Sequence, residues 1–438
     1  MTRTLTKELI AHVGETVTIQ GWMHKKRLLG GLNFITLRDR SGIAQNLVDN
    51  KDEVEKLRGM QIGTVLSITG VVTADERAPG GAELHDVNIE VLVPVTDEPP
   101  IEIDKPIDHK SENLDTLFEY RVLNIRNLQE QKIFKIRSSI TRYIREYLYR
   151  NEFEEIDTPK LLAEATEGGA EVFKLDYFGK TATLAQSPQF YKQIMVGAFE
   201  RVFEIGHSYR AEPSATTRHL TELTMLDIEM GFVESHDEVM DMVGGMVQEV
   251  LTKVYEKHAD DLKSLNAPAL KLAEDGKIPR FTIAEIHELY TKATGTDVTA
   301  EKDLIPDEER WIATYALKNF GSDLVYATDF PAEAGKFYHK FKEEEGTVAW
   351  ADLLYRGLEI ATVPLRENNY EKMLEQMKRA GLDVTQDGFK YYLQAFKYGL
   401  PAHGGAGMGI DRVVQKTIGL ANVKEATLFP RDINRLTP

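Results

Sequence analysis

At 438 residues, 42% hydrophobic and 28% charged, the chain has an ordinary globular composition and the length for two or three domains, each with a sizeable core. It has no cysteine, which excludes disulfides and thiolate metal sites and leaves hard cations held by oxygen as the metals to expect. Its 53 basic and 70 acidic residues leave a net charge of −17, which excludes nonspecific nucleic-acid binding by the whole surface but permits a local basic patch.

The N-terminal "MTRTLTKELI" lacks the apolar stretch of a signal peptide, and no later run is long enough to span a bilayer, so a cytoplasmic protein is expected. Up to about residue 100, "ETVTIQGWMH", "NFITLRD", "IAQNLV", "TVLSITGVVTA" and "DVNIEVLVPV" alternate apolar and polar residues between Gly, Asp and Asn breaks. Five strands in that length predict a small closed barrel, and the OB-fold is the commonest such barrel that binds single-stranded nucleic acid. The basic stretch "HKKRLLGG" (24–31), near Phe34, Arg38, Arg40 and Gln45, offers charge and a stacking ring; a solvated hairpin over a core Phe fits the composition equally well. The acidic, Pro-rich "TDEPPIEIDKPIDHKSENLD" then reads as a linker. The predicted organisation is a barrel over 1–100, a linker over 101–130 and a second domain over 131–438.

In that second domain Ile133, Ile136, Ile140, Tyr143, Ile144, Tyr147 and Leu148 recur at helical spacing. Ser235 and Glu238 form a capping box for another long helix carrying Val239, Met242, Val243, Met246, Val250 and Val254. Between these helices "TATLAQS", "RVFEIGHSYR" and "LTMLDIEMGFV" read as strands joined by short loops. The pattern predicts an α+β domain, an antiparallel sheet flanked by helices.

Four stretches combine buried-strand patterning with charge, which is costly unless a ligand or ion completes them. In "YRAEPSATTRHLTELTMLDIEM", Arg210 and Glu212 close one strand, Arg218 and His219 lie in the loop, and Asp227 and Glu229 share one face of the returning strand. A solvent-facing rim and a polar pocket are the alternatives, and the apolar face of Leu226, Ile228 and Met230 suits the pocket. In "WADLLYRGLEI", a chain reversal near 355–357 would bring Asp352 and Glu359 together to share Mg²⁺; two unrelated surface acids fit the stretch as well. "LAQSPQFYKQIM" places Ser187, Gln189 and Lys192 just after a strand. "HGGAGMGIDR" (403–412) packs four glycines before Arg412 and opens a helix, a geometry suited to a nucleotide, although it fits neither a P-loop nor a dinucleotide fingerprint.

Taken in order, the helix with "FEEIDTPKL", the Arg210–Met230 hairpin and "GGAGMGIDR" resemble motifs 1, 2 and 3 of the class II aminoacyl-tRNA synthetases. "ATEGGAEVF", "LAQSPQFYKQ" and "LFPRDINRLTP" are similar to the aspartate-specific members of the archaeal and eukaryotic type, and the resemblance spans essentially the whole chain. It implies a class II catalytic domain behind an OB-fold anticodon-binding domain, ATP as substrate with Mg²⁺, L-aspartate as amino acid, and a homodimer formed through motif 1 with Pro159 at its interface. It implies that Arg210 and Arg412 are catalytic and that Glu212, Arg218, His219, Leu223, Glu359 and Gly409 join them in binding ATP. Asp352 and Glu359 would hold the metal. Lys192 and Arg366 would grip the aspartate side chain, with Glu167, Ser187, Gln189 and Asp227 around its ammonium. In the barrel, His24, Lys26, Phe34, Gln45 and Pro79 would meet the anticodon. His24 and Pro79 resemble the relaxed enzymes that charge both tRNA(Asp) and tRNA(Asn), where strict relatives carry Trp and Lys.

Two departures stand out. "ATVPL" (361–365) replaces the usual Ser-Gly-Gly-Gln before Arg366, putting that loop in question, and Leu223 sits where many relatives stack a Phe on adenine. An asparagine-specific synthetase and a non-catalytic tRNA-binding paralogue are the alternatives to an aspartate enzyme. An ammonia-using, asparagine-forming relative would have no need of the barrel.

Overall fold

The alternating segments of the first hundred residues pair into one closed sheet in the computed structural model, which describes residues 2–28, 31–107, 113–163, 171–213, 216–385 and 387–438. Strands β1 (Thr16–Leu28), β2 (Asn33–Arg38), β3 (Ile43–Leu47), β4 (Val65–Ala74) and β5 (Ala82–Val93) run in the order 1-2-3-5-4, and β4 closes onto β1. The closed order removes both sheet edges. Every second residue points inward, so Ile19, Met23, Ile35, Leu37, Ala44, Leu66, Ile68, Leu84 and Ile89 form one apolar core. Helix α1 (Lys51–Arg58), between β3 and β4, is capped by Asn50, whose side chain accepts from the Asp52 N–H at 2.8 Å.

The chain divides into two units, residues 1–131 and 132–438. Composition alone made 101–130 a linker, yet its second half is ordered into helices Leu114–Glu119 and Arg121–Asn124, and Arg121 pairs with Glu130 at 2.9 Å with both side chains buried. Helices of four to six residues are too short to show a hydrophobic period, which is why the sequence hid them.

The second unit is built on helices α2 (Leu128–Arg150), α3 (Gln189–Phe199), α4 (His236–Lys257), α5 (Ile283–Thr294), α6 (Pro306–Phe320) and α7 (Ile410–Ile418). They surround strands β6 (Arg201–Tyr209), β7 (Glu222–Gly231), β8 (Leu324–Pro331), β9 (Thr347–Tyr355), β10 (Glu359–Pro364) and β11 (His403–Gly409). The order is 8-9-10-11-7-6, with every one of these pairings antiparallel. Among the described residues of this sheet, parallel pairing appears only at the margins, where Arg280–Thr282 meets β8 and Glu154–Glu155 meets β6.

One face of this sheet is apolar. Leu226, Ile228, Leu353, Ala406 and Met408 pack there against Ile133, Ile136 and Ile140 of α2 and Val239, Val243, Met246 and Val250 of α4. The period-two alternation consequently turns Asp227, Glu229, Asp352 and Gly407 to the opposite face. The predicted capping box of α4 is only half made. Ser235 Oγ accepts from the Glu238 N–H at 3.3 Å, but the Glu238 carboxylate accepts from the Glu234 N–H at 3.1 Å rather than from Ser235. Among the described residues no helix is long and apolar enough to cross a membrane.

Candidate active site

The glycine strand β11 forms the floor of the site, and its glycines serve different purposes. Gly405 lies opposite Glu229 and Gly407 opposite Asp227. A Cβ on Gly405 would stand 2.0 Å from the Ile228 carbonyl oxygen and 2.5 Å from Glu229 Oε2, so this glycine is required by the sheet itself. A Cβ on Gly407 would make ordinary contacts, 3.5 Å from Met225 Cε and 3.7 Å from Asp227 Oδ1, and Gly407 lines the cavity above. Gly409 caps α7, whose first turn carries Arg412 back over the floor, where its Nη1 donates to the Glu359 backbone oxygen at 2.9 Å.

One cavity gathers thirteen of the predicted residues: Ser187, Gln189, Lys192, Arg210, Glu212, Arg218, His219, Leu223, Asp227, Glu359, Arg366, Gly409 and Arg412. Asp352 lies behind Glu359, Glu167 falls outside the described residues, and Pro159 belongs to a different region of the unit. The wall also includes Lys336, Tyr338 and His339, which lie outside every stretch the sequence singled out, and Trp350 and Thr362, which lie within "WADLLYRGLEI" and "ATVPL" but were given no role there.

At the closed end, two cations meet two carboxylates, all four buried. Lys192 Nζ is 2.8 Å from Asp227 Oδ1 and 3.6 Å from Glu229 Oε2, and donates to the Ala406 oxygen at 3.0 Å. Arg366 grips Glu229 through two parallel bonds, Nε to Oε1 at 2.9 Å and Nη2 to Oε2 at 3.1 Å. Burial pushes the Glu229 carboxyl up, but Arg366 and then Lys192 outweigh it and hold it below its ordinary value. The picture of two cations awaiting one substrate carboxylate therefore needs correcting. The protein already balances both cations, and Asp227, expected at the ammonium, is engaged with Lys192.

Gln189 is oriented from behind. Its Nε2 donates to Gln193 Oε1 at 2.8 Å, and Tyr392 donates to the same oxygen at 3.0 Å. Gln193 Nε2 lies 2.8 Å from His403 Nε2, and His403 Nδ1 lies 2.8 Å from the Pro401 oxygen, so His403 donates from Nδ1 and accepts at Nε2. With its nitrogen engaged, Gln189 keeps its carbonyl oxygen for the cavity.

At the open end, the chain reverses at Arg356 and Gly357, both with positive φ, where the sequence placed the turn. Asp352 Oδ1 accepts from Trp350 Nε1 at 2.7 Å, and Glu359 accepts from Thr362 Oγ1 at 3.0 Å and from Arg412 Nη1 at 3.2 Å. Burial, and then the Glu359 charge, drive the Asp352 carboxyl well above the usual carboxylate range. Glu359 is held below its own by Arg412, the Thr362 hydroxyl and Arg210, against its burial. A buried carboxyl set against a half-buried one is a donor pair that a divalent cation satisfies, with the rest of its coordination left to phosphates and water. No larger metal-binding group of His or acids occurs among the described residues. Beyond the hairpin, Arg218 pairs with Glu309 of α6, and burial lowers the His219 pKa.

The departure at 361–365 does not disturb the register. Ala361 and Thr362 pair with Met408 and Gly407, and Val363 and Pro364 with Ala351 and Trp350. Val363 turns its bulk into the helix-facing core, and the ladder continues through Leu365 to Ala349 at 2.8 Å and Arg366 to His403 at 2.9 Å, delivering Arg366 to Glu229.

The pattern of the family described as tRNA synthetases class II (D, K and N) matches residues 113–433, and that of the OB-fold nucleic acid binding domain matches 17–93. The chain belongs to the class II tRNA synthetases. The aspartate–tRNA(Asp/Asn) ligase of Thermus thermophilus is 40% identical to this synthetase over 436 residues, covering 100% of each chain. The aspartate–tRNA(Asp) ligase of Pyrococcus abyssi is 39% identical over 97% of each. The asparaginyl-tRNA synthetase of Pyrococcus horikoshii, solved with asparaginyl-adenylate, superposes with a TM-score of 0.91 at 29% identity over 100% of both chains.

In the synthetase's OB-fold, a β-bulge at His24 resets the alternation of β1. Lys25 and Arg27 thereby pair with Thr36 and Phe34 on the outward face, beside Gln45 and Leu47 of β3. Lys26 falls on the inward side opposite Ile35, and its ammonium donates to the Arg58 and Met60 backbone oxygens at the end of α1. The structure therefore gives Lys26 a capping role and moves the outward charge to its neighbours. Gln45 Nε2 donates to Glu83 Oε2 at 2.7 Å, and burial, reinforced by Arg38, lowers the His24 pKa. Pro79 starts the tight turn Pro79–Gly81, in which Gly80 and Gly81 both have positive φ.

Proposed function

We propose that this synthetase is an aspartate–tRNA ligase: it activates L-aspartate with ATP and transfers it to the 3′-terminal adenosine of tRNA(Asp) and also of tRNA(Asn). The observation that carries the reading is Arg366, buried at the closed end with its fork half occupied by Glu229 and the remainder available to a small carboxylate. The names of relatives at full-length coverage support it.

The α-carboxylate oxygen of aspartate attacks the α-phosphorus of ATP, and pyrophosphate departs toward the Asp352–Glu359 end. Arg210 neutralises the charge that grows on the phosphoryl oxygens, and Arg412 clamps the nucleotide over Gly407 and Gly409; this is catalysis by positioning and charge. Asp352 and Glu359 would hold Mg²⁺, which when bound neutralises phosphate charge. In the second step the ribose hydroxyl of the tRNA end attacks the adenylate carbonyl and AMP leaves. The protein is read as a cytoplasmic homodimer joined through the motif 1 region around Pro159. Residues 1–100 serve the anticodon, with Phe34 stacking a base and Gln45 contacting another, and 131–438 carry the chemistry.

Asparagine is the second reading, favoured by the asparaginyl relative's fold and by the balanced charge of the buried quartet. ATP–pyrophosphate exchange with each amino acid decides. Exchange with aspartate and not asparagine is expected, because a neutral amide cannot satisfy the remaining guanidinium N–H groups as a carboxylate does.

A further inference from the structure

Helix α6 joins two parts of the site that are far apart in the chain, and no motif covers it. Its first turn carries Asp307, Glu308 and Glu309. Asp307 pairs with Arg310 at the surface, and Glu308 is engaged by buried His287 at 2.7 Å and by the Ile305 N–H at 3.1 Å. Glu309, its side chain only 12% exposed, pairs with Nη2 of Arg218 in the loop between β6 and β7.

The same turn supports the carboxylate hairpin. A Cβ on Gly357, between Asp352 and Glu359, would stand 3.0 Å from the Arg310 Cα and 3.4 Å from the Glu309 oxygen. On the other side, the Thr217 carbonyl accepts from the Val423 N–H at 2.9 Å, which fixes the backbone that carries Arg218. The Arg218 side chain is thus held at both ends. A guanidinium has five N–H donors in a rigid plane, so fastening one edge aims the others. Arg218 lines the cavity at the end where Glu359 and Arg412 lie.

We propose that Glu309 is a positioning residue for nucleotide binding: it fastens one edge of the Arg218 guanidinium so that the remaining N–H groups face the polyphosphate of ATP. The inference rests on reading the cavity as an ATP site. Without the carboxylate, Arg218 would have to be ordered by the nucleotide itself, and the cost would appear in binding rather than in the chemical step.

The test is aspartate-dependent ATP–pyrophosphate exchange by the full-length protein at varied ATP. E309Q is expected to raise the KM for ATP about five- to tenfold while kcat stays within about twofold. E309D, which keeps the charge, should lie about two- to threefold above wild type, and it carries the test if the amide variant does not fold. In an Arg218→Ala background, E309Q should add nothing, as expected of residues acting through one another. An unchanged or lowered KM for ATP in E309Q, or the same increase in the R218A background, overturns the proposal. Absence of exchange by the wild-type protein would instead defeat the reading of the site.

Discussion

Arg366 and Lys192 are both cations buried at the end of the cavity, but Arg366 meets Glu229 with a planar fork and Lys192 meets Asp227 as a point charge. Arg366→Lys keeps the charge and loses the fork. We expect aspartate-dependent exchange to fall on the order of 10²-fold, with ATP binding measured by calorimetry changed less than about twofold. Asp352 poses a different problem. Its folded carboxyl holds its proton well above the range in which the unfolded chain releases it, so stability declines as pH rises from the ordinary carboxylate range through the raised value. Asp352→Asn removes that penalty and keeps an oxygen for Trp350. At pH 8 without Mg²⁺ its Tm should exceed wild type by on the order of 2–4 °C, while added Mg²⁺ stabilises only the wild-type protein and exchange activity is lost. A variant no more stable than wild type would show that the two carboxyls are not in conflict.

At the scale of elements, β11 separates two demands that its sequence merges. Gly405→Ala places a methyl group against the backbone of β7, and we expect a loss of about 3 kcal/mol or more in urea unfolding, at or beyond the top of the usual overpacking range. Gly407→Ala meets only ordinary contacts, so its unfolding midpoint should match wild type while the KM for ATP rises about tenfold, the methyl group occupying nucleotide space. Equal destabilisation of both variants would refute the division. The strands, the long helices and the turn at 356–357 were legible because each is written in a local period or a local turn. The bulge at His24 was not, since the four consecutive polar residues His24 to Arg27 carry no apolar alternation from which a face could be read; only pairing with β2 reveals that Lys25 and Arg27 face outward while Lys26 reaches back to α1.

For the whole molecule, the question is which tRNA is accepted. The reading from His24 and Pro79 expects purified tRNA(Asn) to be aspartylated under conditions that charge tRNA(Asp). Pro79→Lys, which introduces the residue of strict relatives, should reduce tRNA(Asn) charging about tenfold and leave tRNA(Asp) charging within about threefold, an added obstacle to one partner rather than a loss of general affinity. A uniform loss on both tRNAs would mean that the turn at Pro79–Gly81 merely shapes the barrel. With a net charge of −17, tRNA must be held by local basic surfaces such as Lys25 and Arg27, so charging should weaken steeply with salt.

The sequence by itself determined the α+β architecture, the barrel ahead of it, the family, and the stock of cations, acids and glycines in the site, because hydrophobic period, turn residues and motif spacing are properties of neighbours along the chain. The tertiary structure alone decided how that stock is used. Lys192 and Asp227 are 35 residues apart, Arg218 and Glu309 are 91 apart, and Arg366 and Glu229 are 137 apart, and nothing in their spacing pairs them. Charges neutralise one another through space and according to burial, and a glycine is indispensable or replaceable according to what stands beside it across the sheet. Those distances exist only once the chain has folded.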